Sequence, residues 1–119
     1  IVDAKKPIKH VSSEPFKQLE VYAFSNSCVL QGVTFTNVLL DFENSRLTKM
    51  TFSVKSKQDG STIIKALSSK YKKEPNSNYS TPYCYRNGDI LIYYIQLEQP
   101  DMVNNNGYLY YEYQASGSF

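Results

Sequence analysis

The chain has one histidine (His10), two cysteines (Cys28 and Cys84) and no tryptophan among its 119 residues. Each scarcity excludes something. A catalytic histidine needs an orienting partner and a pocket. His10 sits beside Lys9 in a polar stretch that suggests neither. Ser-His-Asp or Cys-His catalysis would have to run through that single residue. Metal sites need convergent His, Cys or carboxylate ligands, and one histidine with two cysteines far apart in sequence does not supply them. Neither a GxGxxG turn nor a P-loop is present. No catalytic residue, metal ligand or cofactor is therefore expected. No apolar run approaches the roughly 18 residues that span a bilayer, and the start carries no apolar signal-peptide region.

Net charge is also low, at +2. That is too little to predict nucleic-acid or membrane binding by itself. The 41% hydrophobic and 20% charged composition is that of a globular chain,. The length fits one domain with a sizeable core. The first residues, Ile1-Val2-Asp3, suggest a processed chain.

Two cysteines leave two readings open. They are unrelated buried thiols, or they form one bridge between neighbouring strands. A Cys28–Cys84 disulfide is the expectation carried forward. A bridge closing so long a loop would contribute on the order of 4 kcal/mol in the chain-entropy model. It would also place the protein in an oxidising compartment, periplasmic or secreted. The spacing matches neither a CxxC redox motif nor a zinc knuckle.

Hydrophobic periodicity gives the fold class. Residues 1–15 sustain no period and read as an N-terminal arm, leaving 16–119 as a single α+β domain. Leu19–Phe24 alternates as a strand, and a long β signal runs from Cys28 to Phe42 with a bend or bulge at Gly32. After the turn Glu43-Asn44-Ser45-Arg46, Leu47–Val54 alternates as a half-buried antiparallel strand. Asp59 or Ser61 is positioned to cap a helix. Ile63, Ile64, Leu67 and Tyr71 give that helix a core-facing stripe, Lys65, Lys70, Lys72 and Lys73 its outer face and last turn, and Pro75 its stop. Asn76–Pro82 reads as a loop. Asn87-Gly88 is the strongest hairpin signal. It joins Tyr83–Arg86 to the strand Asp89–Leu97, which is apolar on both faces and so central. Gln99–Gly107 is a loop and Tyr108–Tyr113 the last strand. The predicted architecture is a mostly antiparallel sheet of about five strands, β-β-β-α-β-β, with one helix packed on one face.

Tyrosine is the unusual abundance, at eleven residues. Tyr83, Tyr85, Tyr93, Tyr94, Tyr108, Tyr110, Tyr111 and Tyr113 all fall in the last three strands. Alternation sends one set under the helix and the other to the opposite face. Tyrosine joins a rigid apolar body to a polar tip and is enriched at interfaces. It is also an ordinary strand former. The lysines could track phosphates beside stacking rings, but eleven acidic residues dilute that signal and a solvated face is the plainer reading. Asp41, Glu43 and Asp89 are the candidates for carboxylate chemistry of the kind glycosidases use. Asn78-Tyr79-Ser80 matches a glycosylation sequon.

The run Gly32-Val33, Val38-Leu39-Leu40-Asp41-Phe42-Glu43-Asn44 and Leu47-Thr48-Lys49-Met50-Thr51-Phe52 continues into Ile63-Ile64-Lys65-Ala66-Leu67, Lys70-Tyr71, a proline and an aromatic–Asn-Gly hairpin. It resembles a loose group of small exported bacterial proteins, over roughly residues 19–113. Their pattern is a strand ending in Phe, a turn, a second strand, a helix ending in Lys-Tyr and a hairpin. Many such proteins look like periplasmic or lipoprotein binding modules, and some similar ones are immunity proteins or inhibitors of cell-wall enzymes. The pattern has no catalytic residue to carry over. Here Lys72-Lys73-Glu74-Pro75 stands where Gly-Pro usually follows Lys-Tyr, and Tyr83 or Tyr85 where the later hairpin often has Trp.

Together these readings predict a non-enzymatic module that binds another protein, a toxin or an enzyme, with no nucleic acid and no membrane span expected and a lipid anchor left open. Arg86, Tyr93, Tyr110, Tyr111, Asp101, Asn104, Asn105 and Asn106 are the expected partner-binding residues, since tyrosine and arginine are the commonest interface anchors. A carboxylate-dependent hydrolase and a nucleic-acid-binding module using the helix lysines are the alternatives.

Overall fold

Short runs of alternating residues separated by left-handed turns force the chain back on itself. The computed structural model describes residues 8–14, 19–24, 27–36, 38–74 and 81–114. Their elements are β1 (Ile8–Glu14), β2 (Leu19–Phe24), β3 (Cys28–Leu30), β4 (Val33–Phe35), β5 (Val38–Glu43), β6 (Arg46–Val54), α1 (Lys57–Lys70), β7 (Lys72–Lys73), β8 (Cys84–Asn87), β9 (Ile90–Gln96) and β10 (Gly107–Tyr113). Eight strands form one sheet in the order β1-β2-β5-β6-β10-β9-β8-β7, and β3 and β4 form a separate hairpin. Every neighbouring pair in the large sheet is antiparallel. The fold is α+β, a mostly antiparallel sheet with one helix on one face.

The expected bend at Gly32 is a reversal. Gln31 (φ 53°) and Gly32 (φ 79°) are both left-handed, the signature of a two-residue hairpin loop. The long β signal therefore splits into β3, β4 and β5. Asn44 (φ 52°) and Ser45 (φ 66°) make the same kind of loop between β5 and β6. The Asn87-Gly88 signal does join two strands, β8 and β9, with Gly88 at φ 62°. Ile8–Glu14 lies inside the expected arm but forms the edge strand β1, with an irregular register between His10 and Ser12.

Alternation sorts the side chains. Val38, Leu40, Phe52, Val54, Leu109, Ile92, Tyr94 and Tyr85 share the face that carries α1 and the β3–β4 hairpin. Ile63 and Leu67 of α1 are fully buried there, each contributing about 1.5–3 kcal/mol of transfer free energy. Ile64 and Tyr71 pack at the margin, so the expected stripe is the one the helix uses. Gln31 fastens the hairpin, donating from Nε2 to the Tyr111 hydroxyl at 2.8 Å and accepting from Lys70 Nζ at 3.1 Å.

The helix begins earlier than expected. Ser56 is the cap, not Asp59 or Ser61: its backbone is extended and its Oγ accepts from the Asp59 N–H at 3.1 Å. Asp59 lies in the first turn, where a carboxylate complements the helix dipole,. The helix also ends earlier. Tyr71 is its C-cap, and Lys72 and Lys73 leave it to pair with Arg86 and Tyr85 as β7. Pro75, the sequon at 78–80 and most of the 76–82 loop lie outside the described residues.

The expected disulfide is absent, because the sheet separates the two cysteines. Cys28 packs into the core on the α1 side, while Cys84 packs with Leu91 and Tyr93 on the other side. Burial raises the Cys28 thiol above its ordinary pKa. Without a bridge, the cysteines no longer argue for an oxidising compartment.

Candidate protein-binding loop and far face

The β9–β10 connection is a braced loop. Asp101 Oδ1 accepts from the N–H groups of Val103 at 3.1 Å and Asn105 at 2.9 Å. An aspartate bonding the backbone two residues on is the standard device for closing a turn. The Asp101 N–H donates to the Asn105 carbonyl, the Asn104 N–H returns to the Asp101 carbonyl, and Asn104 is left-handed at φ 62°. The Tyr108 hydroxyl donates to Asp101 Oδ2 and accepts from Asn105 Nδ2 at 3.1 Å. Asn106 ties the loop to the sheet, its N–H donating to the Val54 carbonyl at 2.7 Å and its Nδ2 to the Lys55 carbonyl at 2.5 Å. Lys55 Nζ reaches the Val103 carbonyl at 3.4 Å.

This bracing leaves two apolar side chains in solvent. Met102 is 101% exposed and Val103 63%. The residues expected to meet a partner, Asp101, Asn104, Asn105 and Asn106, mostly build the scaffold. The tip they present is Met102 and Val103, which lie inside the expected Asp101–Asn106 loop but were not singled out within it. The available signal was a Met-Val pair inside an otherwise polar connection. Asn105 is 3% exposed, and its Oδ1 has no hydrogen-bond partner among the described residues. Leaving a buried acceptor unpaired costs about 1–3 kcal/mol, and such local violations collect at functional sites.

The face opposite α1 adjoins this loop. Tyr110 stacks on Tyr93 with ring centroids 4.7 Å apart and planes at 19°, and Tyr108 lies 6.3 Å from Tyr110. Lys49 Nζ sits 4.7 Å from the centre of the Tyr110 ring, a cation–π contact, and 4.0 Å from Glu112. Burial, then the neighbouring Tyr108, raises the Tyr110 phenol above its ordinary pKa. Leu39 lies on the same face at 42% exposure. The expected anchors divide here. Tyr110 is half-buried and accessible. Tyr93 is 1% exposed and supports Tyr110 from within. Tyr111 is on the α1 side, packed edge-on against Phe52 and bonded by Gln31, so it does not join Tyr110 on one surface.

Arg86 is similarly committed. Its Nε donates to Glu74, with both side chains mostly buried, and its Nη1 donates to the Gln114 carbonyl at 2.8 Å. It clamps the β7–β8 edge to the end of β10, so its charge is spent inside the fold.

The carboxylates named for hydrolysis are not brought together. Asp41 stands on the far face in register with Lys49, and burial raises its carboxyl against the opposing pull of Lys49. Glu43 is exposed at the β5–β6 turn, and Asp89 is exposed in the β8–β9 turn with β6 and β10 between. The lysines are dispersed as well: Lys49 lies over Tyr110, Lys55 at the loop, Lys70 on Gln31, and Lys72 and Lys73 on the β7 edge. Among the described residues no helix is long and apolar enough to cross a membrane. His10 lies in β1.

No protein-family model, curated protein or solved structure matches this chain.

Proposed function

We propose that this chain is a non-enzymatic protein-binding module, and in its most specific form an inhibitor that blocks another protein's active site, as an immunity protein blocks a toxin. The observation that carries the reading is the Asp101-braced loop holding Met102 and Val103 in water. A fixed loop loses little conformational freedom on binding, so more of the contact energy survives as affinity. Methionine is unbranched and polarisable and fills irregular apolar pockets. A convex tip of this kind fits a concave site on a partner. Tyr108 and Tyr110 extend the contact across the far face, with Asn104 at the rim.

The test compares capture by wild type and by Met102→Glu from lysate of the source organism, followed by titration of the captured protein. One protein bound at one-to-one stoichiometry, losing its own activity as the chain is added and missing from the Met102→Glu sample, is the expected result. Capture with the partner's activity intact contradicts the inhibitor form. Equal capture by both baits contradicts the loop.

A further inference from the structure

We infer that Met102 is the oxidation site of this chain, and that its sulfoxide switches the braced loop off as a binding surface. The loss of binding rests on the protein-binding reading above; which sulfur reacts does not. The chain holds two cysteine and two methionine sulfurs. Three of them are shielded. Cys84 is buried. Cys28 is half-buried, and burial raises its thiol above the ordinary pKa, which keeps the reactive thiolate scarce near neutral pH. Met50 is half-buried against the core on the α1 side. Of the four, Met102 alone stands wholly in water, at 101% exposure.

The oxidant is of the peroxide class. The thioether lone pair attacks one oxygen of hydrogen peroxide, the O–O bond breaks and an S–O bond forms. The proton of the transferred oxygen joins the departing hydroxide, which leaves as water. Sulfur is oxidised and the peroxide reduced. The product is a polar sulfoxide that methionine sulfoxide reductases return to the thioether. In that return two thiols of the reductant close to a disulfide and the oxygen leaves as water. The fold keeps the change local. Asp101 Oδ1 holds the Val103 and Asn105 amides, and the Asn104 N–H returns to the Asp101 carbonyl. These bonds use backbone groups and the Asp101 carboxylate, so a new oxygen on the Met102 side chain breaks none of them. The loop keeps its shape and presents a polar tip. Burying that tip in an apolar site strips the sulfoxide oxygen of water with no bond in exchange, which opposes binding. The same oxygen on Met50 would lie at the margin of the core and loosen the packing there,.

The test begins with dilute hydrogen peroxide added to the folded wild-type chain, with peptide masses following oxygen uptake at each sulfur over time. Met102 is expected to be oxidised several-fold faster than Met50, with both thiols still free and the melting temperature unchanged once Met102 is converted. Met50 or a cysteine oxidised as fast as Met102 overturns the site, whether or not a partner exists. The treated chain, cleared of peroxide, is then compared with untreated chain in capture from lysate of its source and in titration of the captured protein. Oxidation is expected to weaken binding by at least about tenfold, the loss that follows removal of a well-packed anchor. Methionine sulfoxide reductase with a dithiol is expected to restore it. Met50→Leu, a volume-conserving change that leaves Met102 as the sole methionine, is expected to lose binding on treatment as wild type does. Oxidised wild type that binds like untreated chain, or a Met50→Leu chain whose binding survives treatment, overturns the switch. Neither result touches the loop reading, since the untreated chain still binds. Untreated Met102→Glu that captures as well as untreated wild type overturns the loop reading and the switch together.

Discussion

Tyr108 and Asp101 hold each other across the base of the β9–β10 loop. The phenol donates to Oδ2 while Oδ1 receives the amides of Val103 and Asn105. The shared proton lowers the Asp101 carboxyl below its ordinary range, with the Asn105 amide the next contributor, and raises the Tyr108 phenol above its own. A carboxylate whose folded-state pKa is depressed stabilises the folded form above its unfolded value, about 3.9. That contribution is lost as pH falls through the lower folded value. The loop is therefore expected to loosen only below the usual carboxylate range. Tyr108→Phe should move the Asp101 midpoint upward in an NMR titration and speed amide exchange at Val103 and Asn105, leaving exchange in β9 unchanged. An unmoved midpoint would show that the hydroxyl is not the main cause.

Gly60 gives Tyr94 its place. A Cβ at Gly60 would lie 2.4 Å from the Tyr94 hydroxyl and 3.0 Å from Cζ, and Gly107 approaches the same ring end from the sheet side. Gly60→Ala should destabilise by about 1–3 kcal/mol, as overpacking does. Tyr94→Phe removes the nearest atom, so the double variant should recover part of that loss. Strict additivity in denaturant melts would rule out this contact as the reason for glycine inside a helix.

Tyr93 and Tyr110 stack but serve different ends. Tyr93→Ala empties a buried site and should cost about 3–5 kcal/mol in stability, as large aromatic truncations do. Tyr110→Ala should leave the chain folded and weaken partner binding by more than about 1 kcal/mol. Arg86→Ala should behave like Tyr93→Ala in kind, lowering stability by about 1.5–3 kcal/mol through lost charged hydrogen bonds, with binding by the folded fraction unchanged. Wild-type affinity in Tyr110→Ala would remove the far face from the interface.

Cys28 and Cys84 point to opposite sides of the sheet. Denatured protein should therefore yield two reactive thiols per chain without reductant, and the same two with it. Thiols that appear only after reduction would contradict the arrangement.

Much of this fold was legible in the sequence, because burial on one face imposes strict alternation. Met50, Phe52 and Val54 against Lys49, Thr51 and Ser53 gave β6 its register. The unbroken apolar run at Leu91–Tyr94 marked a strand covered on both faces, and all four residues are 1% exposed. The helix limits were less legible. The apolar stripe starts only at Ile63, so nothing in the periodicity reaches back to Ser56. Gly60 resembles a linker residue until the Tyr94 ring is seen beside it. Lys72 and Lys73 have the composition of a helix end, but pairing with β8 recruits them as an edge strand, a tertiary choice that no local pattern reveals. The loop lay between. Its asparagines and aspartate announced a turn, but which side chains it would bury and which it would expose depended on the Asp101 hydrogen bonds. Tyr111 follows the alternation that the sequence shows: adjacent strand residues face opposite ways, so it lies on the α1 side and Tyr110 on the other.

Entry of Met102 into a partner's apolar site can be measured directly, because the chain has few methionines. Met50 and Met102 are the only two methionines, and Met50→Leu is a volume-conserving change. A Met50→Leu chain carrying a photoreactive methionine at position 102 can be irradiated in lysate of its source. The expected result is a light-dependent adduct between residue 102 and one protein, competed by unlabelled wild type and not by Met102→Glu. Adducts scattered over many proteins, or competition by Met102→Glu as effective as by wild type, would contradict it.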